Sequence, residues 1–203
     1  MLFALGKGLL SGILMSLMLG TVFFSLIQNS IEYGWKKGMM IASGVVTSDF
    51  FFITLAILGV QFINPDEPNI YIHGGAVIVL TLMGLNMLSN KKTSISYPQT
   101  KFGKALFFFS NGFLLNILNP VNFLFWAGWA TVARAEWGYE MPQLISFFAG
   151  CLISIFFTEV LISFSANRIK PYLSAKLLDW INKGTGLIFI GIAVYLVVDY
   201  LVH

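Results

Sequence analysis

Charged residues along this chain are spaced so that they bracket six long apolar runs. None interrupts the run between Lys7 and Glu32, and Asp49 alone breaks Gly38 to Pro65. Pro68 to Asn90 and Ala105 to Ala133 carry none, Met141 to Asn167 carries Glu159 alone, and Gly184 to Val198 is again uncharged. Each long run exceeds the ~20 residues needed to cross about 30 Å of hydrocarbon, and the last reaches that length if it continues through Asp199 to His203. The pattern predicts an all-α membrane protein of six transmembrane helices. Two polar connections stand out, "NKKTSISYPQTKFGK" (Asn90 to Lys104) and "NRIKPYLSAKLLDWINKG" (Asn167 to Gly184). The second mixes Leu177, Leu178, Trp180 and Ile181 with Lys176, Asp179 and Lys183, which predicts a short amphipathic helix on the membrane surface. Neither has room for a soluble domain, so residues 1–203 read as one transmembrane domain.

Composition agrees: 57% of residues are hydrophobic, 10% are charged and the mean hydropathy is +0.81, far from the roughly one-quarter charged content of soluble proteins. The first run starts almost at the N-terminus, is too long for a signal-peptide core and lacks a small-residue cleavage site, so it reads as a retained anchor. Ten of the 12 Lys and Arg residues fall in the first, third and fifth loops, and only Lys7 and Arg134 lie on the other side. The positive-inside rule then places both termini outside, and the net charge of +3 reflects topology, with no indication of nucleic-acid binding. Cys151 is the single cysteine, which excludes thiol relays and multi-cysteine metal sites within the chain, and no cofactor is implied. With two histidines, one of them the last residue, no nucleophile–base pair or metal cluster can be assembled, so an enzyme is not expected.

The first three runs can be laid on the last three. "SGILMSLMLGTVFF" (Ser11 to Phe24) matches "NGFLLNILNPVNFLF" (Asn111 to Phe125), each opening on a small polar residue and Gly and each interrupted further on, at Gly20-Thr21 and at Asn119-Pro120. The second spans each carry one Gly before one acid, Gly44 before Asp49 and Gly150 before Glu159. The third spans centre on Gly84 and Gly191. Repeat one runs over about 1–90, a cytoplasmic loop over 91–104 and repeat two over about 105–203; three spans per repeat make the repeats inverted. At ~1.5 Å per residue the two interruptions lie about 20 Å and about 22 Å from their starts, close to the midplane or slightly beyond. Proline deletes a helix hydrogen bond and asparagine amides need partners, so such breaks must face a wet cavity or one another. Paired broken helices in an inverted repeat point to the binding site of a secondary transporter.

These residues resemble the lysine exporter (LysE) family of bacterial amino-acid exporters, near its threonine/homoserine-type branch. The resemblance covers nearly the whole chain. It rests on the early broken first span, on "YGWKKGMMIASGVVTSD" (Tyr33 to Asp49), on the third span ending "MGLNML", and most specifically on "NGFLLNILNPVNFLF". Members usually carry Pro-Gly-Pro where this chain has Leu19-Gly20-Thr21, and a second glycine where Ser48 stands. The resemblance implies an inner-membrane exporter of amino acids or similar small zwitterionic metabolites, driven by the proton-motive force, whose partners are the amino acid, protons and the lipid bilayer.

Within that frame each polar residue in a span has two readings. Asp49 sits about eleven residues into the second span, ~16 Å deep, where a charged carboxylate costs at least a few kcal/mol. It is expected to carry protons or bind the substrate amine, a hydrogen bond to a neighbouring helix being the structural alternative. Glu159, about seven residues from the cytoplasmic end, either joins the pathway or snorkels. Asn116, Asn119 and Asn122 recur every three residues, roughly on one face, which suits either substrate contacts or interhelical hydrogen bonds; Asn119, beside Pro120, is expected to meet substrate and Asn122 to pack. Thr21, Ser25 and Gln28 form an i, i+4, i+7 stripe that would line a pathway or glue helices together. Trp35, Trp137 and Trp180 read as interface anchors; Trp126 and Trp129 could close a pocket, aromatic packing being the reading preferred. A divalent-cation exchanger and a non-transporting membrane scaffold are the competing readings. The oligomeric state stays open, a homodimer included.

Overall fold

A computed structural model describes residues 1–17, 21–60, 105–135, 137–169, 171, 175–202 and individual helical residues between 74 and 89. Gly20, the side chains of Thr21 and Pro120, His73 and the Asn90–Lys104 connection lie outside the described residues, as does most of the third run. Among the described residues all regular structure is helical: α1 (Leu2–Ser16), α2 (Thr21–Tyr33), α3 (Trp35–Val60), α4 (Ala105–Ile117), α5 (Pro120–Ala135), α6 (Met141–Ile169) and α7 (Ala175–Val202). Helices satisfy every backbone donor and acceptor internally, which is what an apolar medium demands. Serine and threonine hydroxyls follow the same rule by bonding the preceding turn, as Ser16 does to Gly12 O at 2.5 Å and Ser163 to Glu159 O at 2.9 Å.

α3 and α6 are long and apolar enough to cross a membrane, and α4 with α5, bent by 64° at their break, make a third candidate if the pair is one span. α4 and α5 part where the sequence places the break: Pro120 is the first residue of α5, where its missing N–H costs nothing, and Asn122 N–H returns to Asn119 O at 3.1 Å. α1 likewise ends at Ser16 and α2 begins at Thr21, so the first run is also split into two helices. Gly34, at φ +87°, makes the turn between α2 and α3 in a conformation that side chains resist. α6 opens on a reciprocal cap in which Gln143 Oε1 accepts from Glu140 N–H at 2.8 Å.

The chain divides into two compact units, Met1–Ile63 with Tyr97–Pro171, and Asn64–Ser96 with Tyr172–His203. In the first unit α1 packs on α6, and α3 on α4, α5 and α6. Both of the closest pairings are made of backbone. A Cβ on Gly8 would collide with Phe147 O and one on Gly150 with Leu5 O; in the other pair Gly112 meets Ile41 O and Gly44 meets Phe109 O. Each glycine faces the residue three before its partner glycine, so the α1–α6 and α4–α3 crossings share one geometry. Contacts advance together along both helices, from Gly8 on Phe147 to Gly12 on Cys151 and from Gly112 on Ile41 to Asn116 on Val45, so each pair is parallel. This register matches Gly112 with Gly8, one turn earlier than the sequence comparison of Ser11-Gly12 with Asn111-Gly112.

Aromatic rings and cations mark the two ends of this unit. At one, Lys7 Nζ lies 4.0 Å from the centre of the Trp137 ring, and Arg134 pairs with Glu140 at 2.8 Å. At the other, Tyr33 and Lys37 meet Phe108, at 5.4 and 5.3 Å, and Trp35 meets Phe164 at 6.1 Å. Trp129 packs on Phe147 at a tilt and Trp137 meets it edge-on, the packing expected of Trp129.

In the second unit, a Cβ on Gly84 would meet Ile190 and, at 2.8 Å, Gly186 O of α7. The helical segment at Gly84 and α7 therefore touch closely at Gly84 and Gly186. α7 continues without interruption from Ala175, so the stretch expected as a separate surface helix forms, from that residue on, the first turns of the same helix as the last span. No proline follows Pro171, and a glycine such as Gly184 or Gly186 inside a helix costs only about 1 kcal/mol.

Candidate functional site

Three helices of the first unit converge on Asp49, which is 4% exposed. α3 supplies Asp49 and, one residue earlier, the fully buried Ser48. α4 contributes Asn116 from its last turn, just before the interruption, and α5 contributes Asn122 and Trp126, one turn apart on one face just after it. Asn116 Nδ2 lies 2.7 Å from Asp49 Oδ1, 2.5 Å from Ser48 Oγ and 3.2 Å from Val45 O. Trp126 Nε1 donates to the same Asp49 Oδ1 at 2.9 Å.

The bonds are mutually consistent. An amide nitrogen carries two hydrogens, which go to the two closer acceptors, Asp49 and Ser48. The Ser48 hydroxyl passes its own proton to Val45 O at 3.0 Å, and Asn122 Nδ2 donates to Asn116 Oδ1. Each member satisfies the next, which is what lets so polar a group sit against the apolar cluster of Phe52, Ala130, Phe148 and Ile155. Both bonds to the carboxyl fall on Oδ1; Oδ2 takes part in neither.

Glu159 on α6 is the second buried acid, 7% exposed, and its Oε2 has no hydrogen-bond partner among the described residues. It lies within electrostatic reach of Asp49. One turn on, Ser163 Oγ and Ser30 Oγ close around Gly38, where α2, α3 and α6 cross. Neither buried acid pairs with a fixed cation among the described residues; the ion pair that is seen, Arg134 with Glu140, is at the surface. A proton or a mobile cationic group is what such an arrangement can accept.

Of the residues singled out in the sequence, the structure joins Asp49 and Asn116 directly, with Asn119 and Pro120 at the interruption beside them. Asn119 is half-buried and its N–H bonds Asn116 O at 3.1 Å. Ser25 is not part of this network: Asn111 of α4 reaches its Oγ at 3.4 Å, and Asn29 its carbonyl at 2.7 Å. Gln28 is half-buried on α2. Sequence reasoning missed Trp126, which it took for packing, and Ser48, which it noted only as a departure from a family pattern. The signal for Trp126 was its i, i+4 spacing from Asn122, which sets an indole N–H on the same face as an amide.

The chain is 26% identical over 172 residues to the provisionally named amino acid efflux protein YcgF of Bacillus subtilis (strain 168), covering 82% of each chain. It is 24% identical over 195 residues to the threonine efflux protein of Escherichia coli (strain K12), covering 89% of this chain and 90% of that one. No solved structure matches. The family described as LysE type translocator matches residues 13–200, and this multi-pass membrane protein belongs to that family.

Proposed function

We propose that the protein exports amino acids or similar small zwitterionic metabolites across the bacterial inner membrane by proton antiport with alternating access. The observation that carries this reading is the Asp49 network: a carboxyl without a fixed counter-cation among the described residues, held at the break between α4 and α5. A substrate ammonium and a proton are alternative ways of neutralising it, and competition between them couples one to the other. The relatives' names, amino acid efflux and threonine efflux, support the substrate class.

The reading includes six spans arranged as two inverted three-helix repeats. Parallel packing of α3 on α4 supports it, because a chain leaving α3 must recross the membrane before entering α4, and Pro68 to Asn90 is the apolar run between them. The shared geometry of the α1–α6 and α4–α3 crossings supports it as well. In this reading Lys36, Lys37 and Arg168 mark the cytoplasmic end, and both termini lie outside. Gly20, Thr21, Asn119 and Pro120 line one cavity around the two interruptions, with Ser25, Gln28, Asn116 and Glu159 along the pathway.

The test is to load proteoliposomes with a mixture of amino acids and divalent cations, impose a pH gradient, and identify by mass spectrometry what leaves. Loss of amino acids that depends on the gradient is expected. Loss of a divalent cation alone would replace the reading with a cation exchanger, and loss of nothing would leave a scaffold.

A further inference from the structure

Asp49 is joined through a single oxygen to both sides of the interruption between α4 and α5. Asn116 approaches it from the last turn of α4 and Trp126 from α5, while Asn122 closes the circuit across the break onto Asn116. We propose that Asp49 and Trp126 form a clamp on the bent span: the ionised carboxylate ties α5 to α3 through the indole N–H, and neutralising the carboxylate releases the tie, so that α5 changes its angle to α4. Trp126 is thereby a positioning residue. The inference rests on the assignment of Asp49 as the group that answers to protons and substrate.

The chemistry of the two donors sets the mechanism. A hydrogen bond to an ionised carboxylate is roughly twice as strong as one between neutral groups. An indole has a donor and no acceptor, so Trp126 cannot turn round and accept from a protonated carboxyl, and its single recorded hydrogen bond is the one to Asp49. Its ring, 1% exposed, is buried against Phe148 at 5.9 Å and Phe125 at 6.4 Å. An N–H weakened there has no water to turn to, and the cost falls on the position of α5. α5 packs on α3 far more than on α4 or α6, so this bond sits at its principal support. Among the described residues, the titratable groups that feel Asp49 are Glu159 and Cys151, both on α6; from α4 and α5 the groups that reach it are the Asn116 amide and the Trp126 indole.

The experiment places spin labels at Leu114 on α4 and Thr131 on α5, both exposed, and measures their distance distribution at about pH 5.5 and about pH 8.5 alongside pH-driven export. The distance is expected to shift between the two conditions in the otherwise unchanged protein. With Trp126→Phe, or with Trp126 replaced by 3-benzothienylalanine, which keeps the ring shape and lacks the N–H, the low-pH distance is expected at both. Export should then fall about tenfold with a flattened pH profile, the scale of losing one charge-assisted hydrogen bond. Should Phe at this position prevent folding, the ring isostere decides. A full distance shift and an unchanged pH profile in the isostere would overturn the clamp. Normal export by Asp49→Asn would instead overturn the assignment of Asp49, so the two failures are distinguishable.

Discussion

Asn116 stands on Ser48 and Val45 of α3 as Gly12 stands on Ser154 and Cys151 of α6. The two crossings share their glycine contacts, and at this one position the first presents an amide where the second presents a hydrogen atom. Counting on from Gly44 and Gly150, Asp49 answers to Ile155, and Ile155 belongs to the apolar core. The polar chemistry is thus installed in one of two like frames. Asn116→Ala should therefore strip donors from Asp49 and Ser48 and destabilise the folded protein by ~1–3 kcal/mol. Gly12 lies in the frame that has Ile155 where the other has Asp49, so a matching effect of Gly12→Ala on the pH dependence of export would contradict this assignment. Thermal unfolding in detergent and export assays separate the two.

Asp49→Asn is isosteric and can present its amide oxygen to Asn116 and Trp126, as a neutral acceptor that holds them more weakly than the carboxylate does. The variant should fold and bind substrate, and lose pH-driven export. Glu159→Gln should reduce export less, because that carboxyl is not bonded into the network at the interruption. Counterflow exchange without a pH gradient checks that the Asp49 variant still binds. A normal rate with intact pH dependence would make the carboxyl structural.

Glycine substitutions should divide by what a methyl group would meet. Gly112→Ala drives a Cβ into Ile41 O and Gly44→Ala one into Phe109 O, so each should destabilise by ~1–3 kcal/mol, the usual range for forcing extra bulk into a packed contact. Gly128, exposed on α5 with nothing within 4 Å, should tolerate Ala and gain roughly 0.5–1 kcal/mol from the better helix former. Melting temperatures of the three variants decide it; equal effects at Gly112 and Gly128 would argue against the close crossing.

Single cysteines placed in a Cys151→Ala background should report orientation. A cysteine at Lys36 or Lys92 is expected to react with an impermeant thiol reagent from the cytoplasmic side, and one at Glu140 from outside. Labelling of Lys92 from outside would invert or abolish the six-span arrangement.

The buried acid was legible because composition singles it out: one carboxylate in an apolar run must find its partners on other helices. The interruption at Asn119-Pro120 was legible for the same reason, proline and amides being misfits in such a run. Trp126 was not, since an indole among Phe and Leu looks like filler until its N–H is seen to have an acceptor on another helix. Asn116 left two readings open, and its bonds to α3 are the interhelical ones. The two crossings pair Gly112 with Gly8, where the sequence comparison sets it on Gly12, because both glycines suit a close crossing and sequence spacing cannot tell which of them lies over Phe147. Continuity of α7 was hidden by Gly184 and Gly186, which look like stops and are carried through by the helix on either side.

The glycine crossings also have a consequence for genetics. Gly112 meets a carbonyl oxygen, Ile41 O, and Gly44 another, Phe109 O. Every residue has that atom, so no exchange of one side chain for another can make room for a methyl group there. A lesion at either glycine should lack allele-specific suppressors at the contacted residue. Revertants should restore the glycine itself or arise where whole helices are allowed to shift.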